Sequence, residues 1–301
     1  MSTYPAYREL AVSGELAARA RQARDLLDPC SLCPRNCQAK RLSGKTGSCG
    51  IGERSVVASF HPHFGEEPEL VGNHGSGTVF FSGCNLGCLF CQNFDISHGL
   101  EGIPVDAEQL AEIFLRVQQM GCQNLNLVTP THVVSQILEA LAIAVDSGLR
   151  LPIVYNTGGY DSLEILRLLD GVVDIYMPDI KSLARDFCEK YLRAPDYPET
   201  VRQAVIEMAR QTGDFQVDAR GLARRGVLIR HLVMPERETD SQSVMDFIRD
   251  SVPARVRVNV MDQYRPMYRS GEFPELDHRT PAATWKRIRN HARQCGLELS
   301  E

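Results

Sequence analysis

The chain has no run of about 18 apolar residues, so no segment reads as a membrane-spanning helix. Its first residues, Met1-Ser2-Thr3-Tyr4, lack the charged-then-apolar pattern of a secretory leader, and a cytoplasmic location is expected. An excess of positive charge is also missing: 33 Lys and Arg stand against 38 Asp and Glu, for a formal net charge of -5. Despite the arginine-rich stretch from Arg220 to Arg225 there is no basic footprint, and nucleic acid is not an expected partner.

What is present is enough apolar material for a full core, 43% of 301 residues, which fits one large domain with a small appendage. Cysteine is the distinctive residue: of ten, seven lie between Cys30 and Cys91. In a cytosolic chain of this size, clustered cysteines point to metal or redox chemistry rather than disulfides.

Residues 4–27 read as one or two helices with a thin apolar stripe, a packing arm. Loop-like sequence follows, rich in Cys and Gly, and residues 1–60 are expected to form the arm and a metal-binding module. From residue 78 onward, short β-branched runs alternate with amphipathic helical stretches, the rhythm of a βα repeat. Strands are expected at 78–82, 124–129, 153–156, 173–177, 227–233 and 257–261. Between them Asp106 reads as a helix cap with Gln109 completing a capping box, and Val134 to Val145 as a helix stopped by Gly148. Thr280-Pro281 starts a last helix, on which the chain is expected to finish. Periodicity leaves an open sheet and an incomplete barrel equally compatible, but both place the functional face beyond the carboxyl ends of the strands.

Directly after the first of these strands comes Cys84-x3-Cys88-x2-Cys91. Three soft thiolates at this spacing can hold three corners of a [4Fe–4S] cubane and leave the fourth iron open. An open iron can chelate the amino and carboxylate groups of S-adenosylmethionine and pass one electron to its sulfonium, which releases a 5′-deoxyadenosyl radical. A structural zinc loop is the competing reading; it needs a fourth ligand, and the next candidate in sequence is His98.

The run from Phe80 to Cys91, with Phe90 just before the last cysteine, resembles the radical S-adenosylmethionine superfamily, and within it proteins related to pyruvate formate-lyase-activating enzyme. The resemblance spans roughly residues 78 to 264. It implies a partial (β/α)6 TIM-type barrel over residues 61–301 behind the cysteine-rich module, an oxidoreductase, and Phe90 near the adenine. It also matches Asp179-x-Lys181 at the end of the fourth strand and Arg230 in the fifth to cofactor contacts. Gln92, beside the loop, and Asn156, at the end of the third strand, complete that set. At the second strand the chain departs from the Gly-Gly-Glu that many members carry, and an oxygen of Thr129 is the expected acceptor instead. His231, on the opposite face from Arg230, is expected to bond into the helix layer.

Cys30-x2-Cys33-x3-Cys37 and Cys49 provide four thiols on one segment, enough to close a zinc site or hold a second iron–sulfur cluster. Cys122, Cys188 and Cys295 stand alone and read as ordinary thiols. The substrate implied by the resemblance is a partner protein bearing a target glycine. The segment from Ser182 to Gly226, read as a long insert, leaves room for a different peptide or a small molecule. Flavodoxin or ferredoxin is the expected electron donor. The alternative from another class is a non-catalytic iron–sulfur or zinc module for redox sensing or protein binding.

Overall fold

The computed structural model describes residues 4–300; Met1 to Thr3, part of the reading of the N-terminus, lie outside them. Ten strands form one sheet: β1 Ser55–His63, β2 Ser76–Phe81, β3 Ile103–Val105, β4 Leu125–Val128, β5 Ile153–Thr157, β6 Ile175–Pro178, β7 Gln216–Val217, β8 Ala223–Leu232, β9 Arg257–Met261 and β10 Glu298–Leu299. The six expected strands are β2, β4, β5, β6, β8 and β9. They pair in that order, all parallel, with helices in the crossovers. The full order runs as an open path from β10 to β3, so the sheet curls as an incomplete barrel.

Alternation along the strands separates two cores. Val79, Phe81, Leu127, Tyr155, Tyr176, Ile229 and Val258 face the helices in the main cluster, while Val154, Ile175, Met177 and Leu228 meet Leu70 inside the barrel. Interior positions nearer the carboxyl ends include the polar Asn156, Arg230 and Asn259, while Thr78 and Asn126 lie level with Val154 on the β2 and β4 side. The cap at Asp106 and the box with Gln109 form as expected before helix Ala107–Gln119. His231 bonds Ile180 O at 2.7 Å and Ser241 at 2.9 Å, in the helix layer.

Three elements differ from expectation. β1 is antiparallel to β2 and belongs to the barrel sheet, so a boundary after residue 60 falls within a strand. The stretch read as an insert carries helix Tyr197–Thr212, a 16-residue crossover between β6 and β8, and its last residues already belong to β8. After helix Ala282–Gln294 the chain turns at Gly296 and ends on β10, paired parallel to β9, rather than on the helix.

Candidate active site at the carboxyl ends of the strands

The cysteine loop leaves β2 through Gly83, whose φ of +80° suits glycine alone. A Cβ there would stand 2.6 Å from Cys49 O, so the loop is pressed against the N-terminal module. Backbone bonds fix the rest: Gly83 N to Ile96 O at 2.9 Å, Gly87 N to Leu192 O at 3.1 Å and Leu89 N to Tyr191 O at 2.9 Å. The last two acceptors lie in a single π-turn, Cys188–Leu192. Arg269 N reaches Leu89 O at 3.0 Å and Asn85 Nδ2 reaches Tyr160 O at 2.6 Å. A loop bonded from four directions presents its thiols in one arrangement.

Burial pushes the Cys84 thiol up to about 11, and Cys88 higher still, so metal binding has to displace protons. His98, the fourth zinc ligand the sequence offered, places Nε2 3.3 Å from Cys88 O and stacks on Tyr268 at 4.6 Å. The donor set therefore fits a cubane held at three corners.

Beside the thiols stands a charged network. Lys181 Nζ lies 2.9 Å from Asp179 Oδ2, and Arg230 Nε lies 3.2 Å from Asp179 Oδ1. Burial raises the Asp179 carboxyl, but Lys181 and Arg230 outweigh it and the group stays ionised below its usual range. Burial opposes the charge on Lys181 as well; the Asp179 carboxylate and then Cys88 overcome it, and the ammonium is held. Arg230 also binds Glu66 Oε2 at 2.9 Å and approaches Asn156 Oδ1 at 3.4 Å. Asp179, Lys181, Arg230 and Asn156 are thus brought together, with Arg230 already held by two carboxylates.

Phe90 is buried against Phe187 and Tyr264, and with Ile180, Lys181, Leu232, Met234 and Met261 it lines a small apolar slot. Thr129 takes a left-handed φ of +59° just past β4, its N–H bonded to Asn156 O at 2.8 Å. Gln92 lies on the exposed rim, with Nε2 3.4 Å from Gln263 O. Gly159, at φ +77°, lets the turn after β5 meet Asp179 O, where a Cβ would stand 2.6 Å away. That close approach is to the chain's own backbone.

Several residues had no signal in the sequence. Glu66 and Glu67 enter the barrel from the turn after β1, bonding Arg230, Asn126 and Asn259. On the inner face of β1 and β2, His61 stacks on Phe80 at 5.7 Å and His63 meets it edge-on at 6.2 Å. His132 follows β4, and its Nε2 is 2.8 Å from Ser82 O, directly behind the cysteine loop. Burial drops its pKa to about 4, so a neutral imidazole donates this bond.

The family model described as the Radical SAM superfamily matches residues 78–248, more than half of the chain. The uncharacterized protein MJ0674 of Methanocaldococcus jannaschii is 31% identical over 289 residues, covering 93% of this chain and 76% of the relative. MJ0808 of the same organism is 25% identical over 295 residues, covering 89% and 79%. Among solved structures, Streptococcus suis SuiB bound to S-adenosylmethionine is 13% identical with a TM-score of 0.49, covering 72% of this chain and 47% of SuiB, less than half of its length. A domain of pyruvate-formate lyase-activating enzyme from Bacteroides vulgatus is 10% identical with a TM-score of 0.36, covering 64% and 89%.

The chain belongs to the radical SAM superfamily. Its fold is the expected partial barrel, and its cofactors are a [4Fe–4S] cluster and S-adenosylmethionine. Membership in a superfamily of enzymes sets aside the reading as a non-catalytic module. Among the described residues, no helix is long and apolar enough to cross a membrane.

Proposed function

We propose that Cys84, Cys88 and Cys91 hold the cluster, that its open iron takes S-adenosylmethionine, and that the resulting radical abstracts hydrogen from a partner protein. The observation that carries this reading is the three-thiol loop at the carboxyl ends of the strands, with His98 turned to the Cys88 carbonyl and a half-buried Asp179–Lys181 pair alongside. When bound, the cluster supplies the electron that cleaves the cofactor. The chain's own residues hold the rest: Lys181 complements the carboxylate, Asp179 accepts from amino or ribose donors, and Phe90 lies against the adenine. Gln92, Thr129 and Asn156 contribute polar contacts at the rim and mouth.

Lys181→Met should weaken cofactor binding roughly tenfold to a hundredfold, since a charged hydrogen bond contributes about 1.5–3 kcal/mol and each 1.4 kcal/mol is tenfold. Calorimetric titration of the reconstituted, unreduced protein measures it, with iron content assayed in parallel. Unchanged affinity at full iron content would confine Lys181 to an internal ion pair.

The likeness of the cysteine loop, Asp179-x-Lys181 and Arg230 to activating enzymes supports a backbone glycine as hydrogen donor. Beyond β3, which pairs only Ser55 to Val57, the half of β1 from Ser59 to His63 has β2 alone as partner, and there His61 is exposed beside Phe80, which gives a polypeptide a route to the inner face. The N-terminal cysteines Cys30, Cys33, Cys37 and Cys49 hold a second centre, an iron–sulfur cluster or zinc, and a flavodoxin or ferredoxin in the cytoplasm supplies electrons. The substrate class is tested with glycine-containing peptides deuterated at Cα. Deuterium recovered in 5′-deoxyadenosine supports the glycine reading; 5′-deoxyadenosine formed without deuterium from any of them favours a small-molecule donor.

A further inference from the structure

The last two long helices meet in a cluster of polar side chains that the active site does not use. Helix Glu238–Ser251 crosses from β8 to β9, and helix Ala282–Gln294 packs against it on the way to β10, the edge strand beside β9. Of the 13 residues in the last helix, Ile288 and Ala292 are the buried ones. Apolar burial therefore ties this helix down lightly, and polar contacts across the pair take a larger share of its docking. One of them joins Arg287 Nε to Glu238 Oε1 at 2.6 Å.

The others converge on one point. His291 and Cys295 are four positions apart, so they lie on the same side of the helix end, and Cys295 is fixed at the cap by its N–H bond to His291 O at 2.9 Å. That side meets Asp246. His291 Nε2 stands 3.0 Å from Asp246 Oδ1, and Cys295 Sγ stands 3.5 Å from the same oxygen. The carboxylate oxygen, the imidazole nitrogen and the sulfur all lie within 4.8 Å of one another, on three half-buried residues.

These separations are close to those of a tetrahedral cation site. Zinc binds sulfur at about 2.3 Å and imidazole nitrogen or carboxylate oxygen at about 2.0–2.2 Å, which puts neighbouring corners roughly 3.4–3.6 Å apart. The Cys295–Asp246 edge at 3.5 Å matches, and the His291–Asp246 edge at 3.0 Å has to lengthen slightly. One thiolate, one imidazole and one carboxylate suit a borderline divalent cation, and three protein ligands leave a fourth position for water.

A cation already occupies the pocket. Arg249 Nη1 lies 3.0 Å from Asp246 Oδ1 and 3.4 Å from Cys295 Sγ, so the guanidinium marks where positive charge is favoured. It can also leave without losing its countercharge. Asp250 accepts from Arg249 Nε at 2.6 Å and from Nη2 at 2.8 Å, a two-bond pair that persists when Nη1 withdraws. Burial, and then the bond to Asp246, raise the Cys295 thiol, so a metal has to displace its proton.

We propose that Asp246, His291 and Cys295 form a site for a divalent cation of the zinc class, which ties the last helix to helix Glu238–Ser251, and that Arg249 is the internal cation competing for it. On binding, the metal takes Asp246 Oδ1, His291 Nε2 and Cys295 Sγ. The thiol proton leaves to solvent, Arg249 turns to Asp250, and nothing is oxidised or reduced. The site is independent of the activity proposed above.

Zinc is the probe, and the test uses the full chain reconstituted with iron and sulfide, dialysed anaerobically against buffered zinc. Wild type should hold one more zinc per chain than His291→Ala or Cys295→Ala at the same iron content. Equal zinc in all three overturns the site. Should one ligand variant fail to load iron, the other carries the comparison. Asp246→Asn, which keeps an oxygen but removes the charge, should weaken zinc binding at least tenfold, about 1.4 kcal/mol. Arg249→Gln should tighten it about tenfold, because a like charge leaves the pocket. Unchanged or weaker binding in that variant overturns the role of Arg249. The tie is read by amide hydrogen exchange: zinc should slow exchange across 282–294 at least tenfold in wild type and leave Cys295→Ala unchanged. Zinc bound without slower exchange overturns the tie.

Discussion

Replacing any one of Cys84, Cys88 and Cys91 with Ala should abolish 5′-deoxyadenosine formation in anaerobically reconstituted, reduced protein. The loop offers three thiols, and the side chains that follow it do not substitute for one of them: His98 is turned to the Cys88 carbonyl and Ser97 only hydrogen-bonds Cys91, at 3.1 Å. Two thiolates do not fix a cubane in the orientation that leaves one iron for the cofactor. Each variant should lose the barrel cluster's share of iron while keeping its fold, because backbone bonds from Gly83, Gly87 and Leu89 to neighbouring elements hold the loop whichever sulfur is removed. Product formation and iron content near those of the wild type in any one variant would remove that cysteine from the ligand set.

The second large effect is expected at Arg230. This side chain is 19% exposed and lies among three carboxylates: Glu66 at 2.9 Å, Asp179 at 3.2 Å and Glu67 at 3.9 Å. Burial lifts the Glu66 pKa and Arg230 works against that lift. Arg230→Met leaves the acids facing one another with only Lys181 as countercharge, and breaking a buried pair from one side costs about 3–5 kcal/mol. Urea unfolding of the holoprotein under anaerobic conditions should show that loss, with a smaller one for Arg230→Lys. A change below about 1 kcal/mol, the range of a solvated pair, would mean that the network is open to water.

The network also shows where sequence reading stops. The cysteine loop was legible because its chemistry depends on spacing within eight residues, and the parallel strands because β-branched runs recur between helical stretches. Asp179, Lys181 and Arg230 were legible as charges at strand ends. Their partners were not: Glu66 meets Arg230 across 164 positions, from a turn that nothing in its own sequence marks as internal. β1 was missed because its half reading Ser59 to His63 is polar and carries Pro62, which favours a loop or an edge. The crossover helix at Tyr197–Thr212 was hidden inside an apparent insert, since a π-turn and two loops stretch the connection beyond the usual length. The spacing of His291 and Cys295 stands in the sequence, but Asp246 meets them across 45 and 49 positions, and without it Cys295 reads as an ordinary thiol.

The central claim is that one iron, held near three cysteines but bound by none of the protein's side chains, takes the cofactor. Electron–nuclear double resonance of the reduced protein with S-adenosylmethionine carrying 15N in its amino group tests this directly. The account predicts a 15N coupling to the barrel cluster in the wild type, still present when Cys30, Cys33, Cys37 and Cys49 are replaced. A fully loaded, reduced barrel cluster with bound cofactor and no such coupling would contradict it.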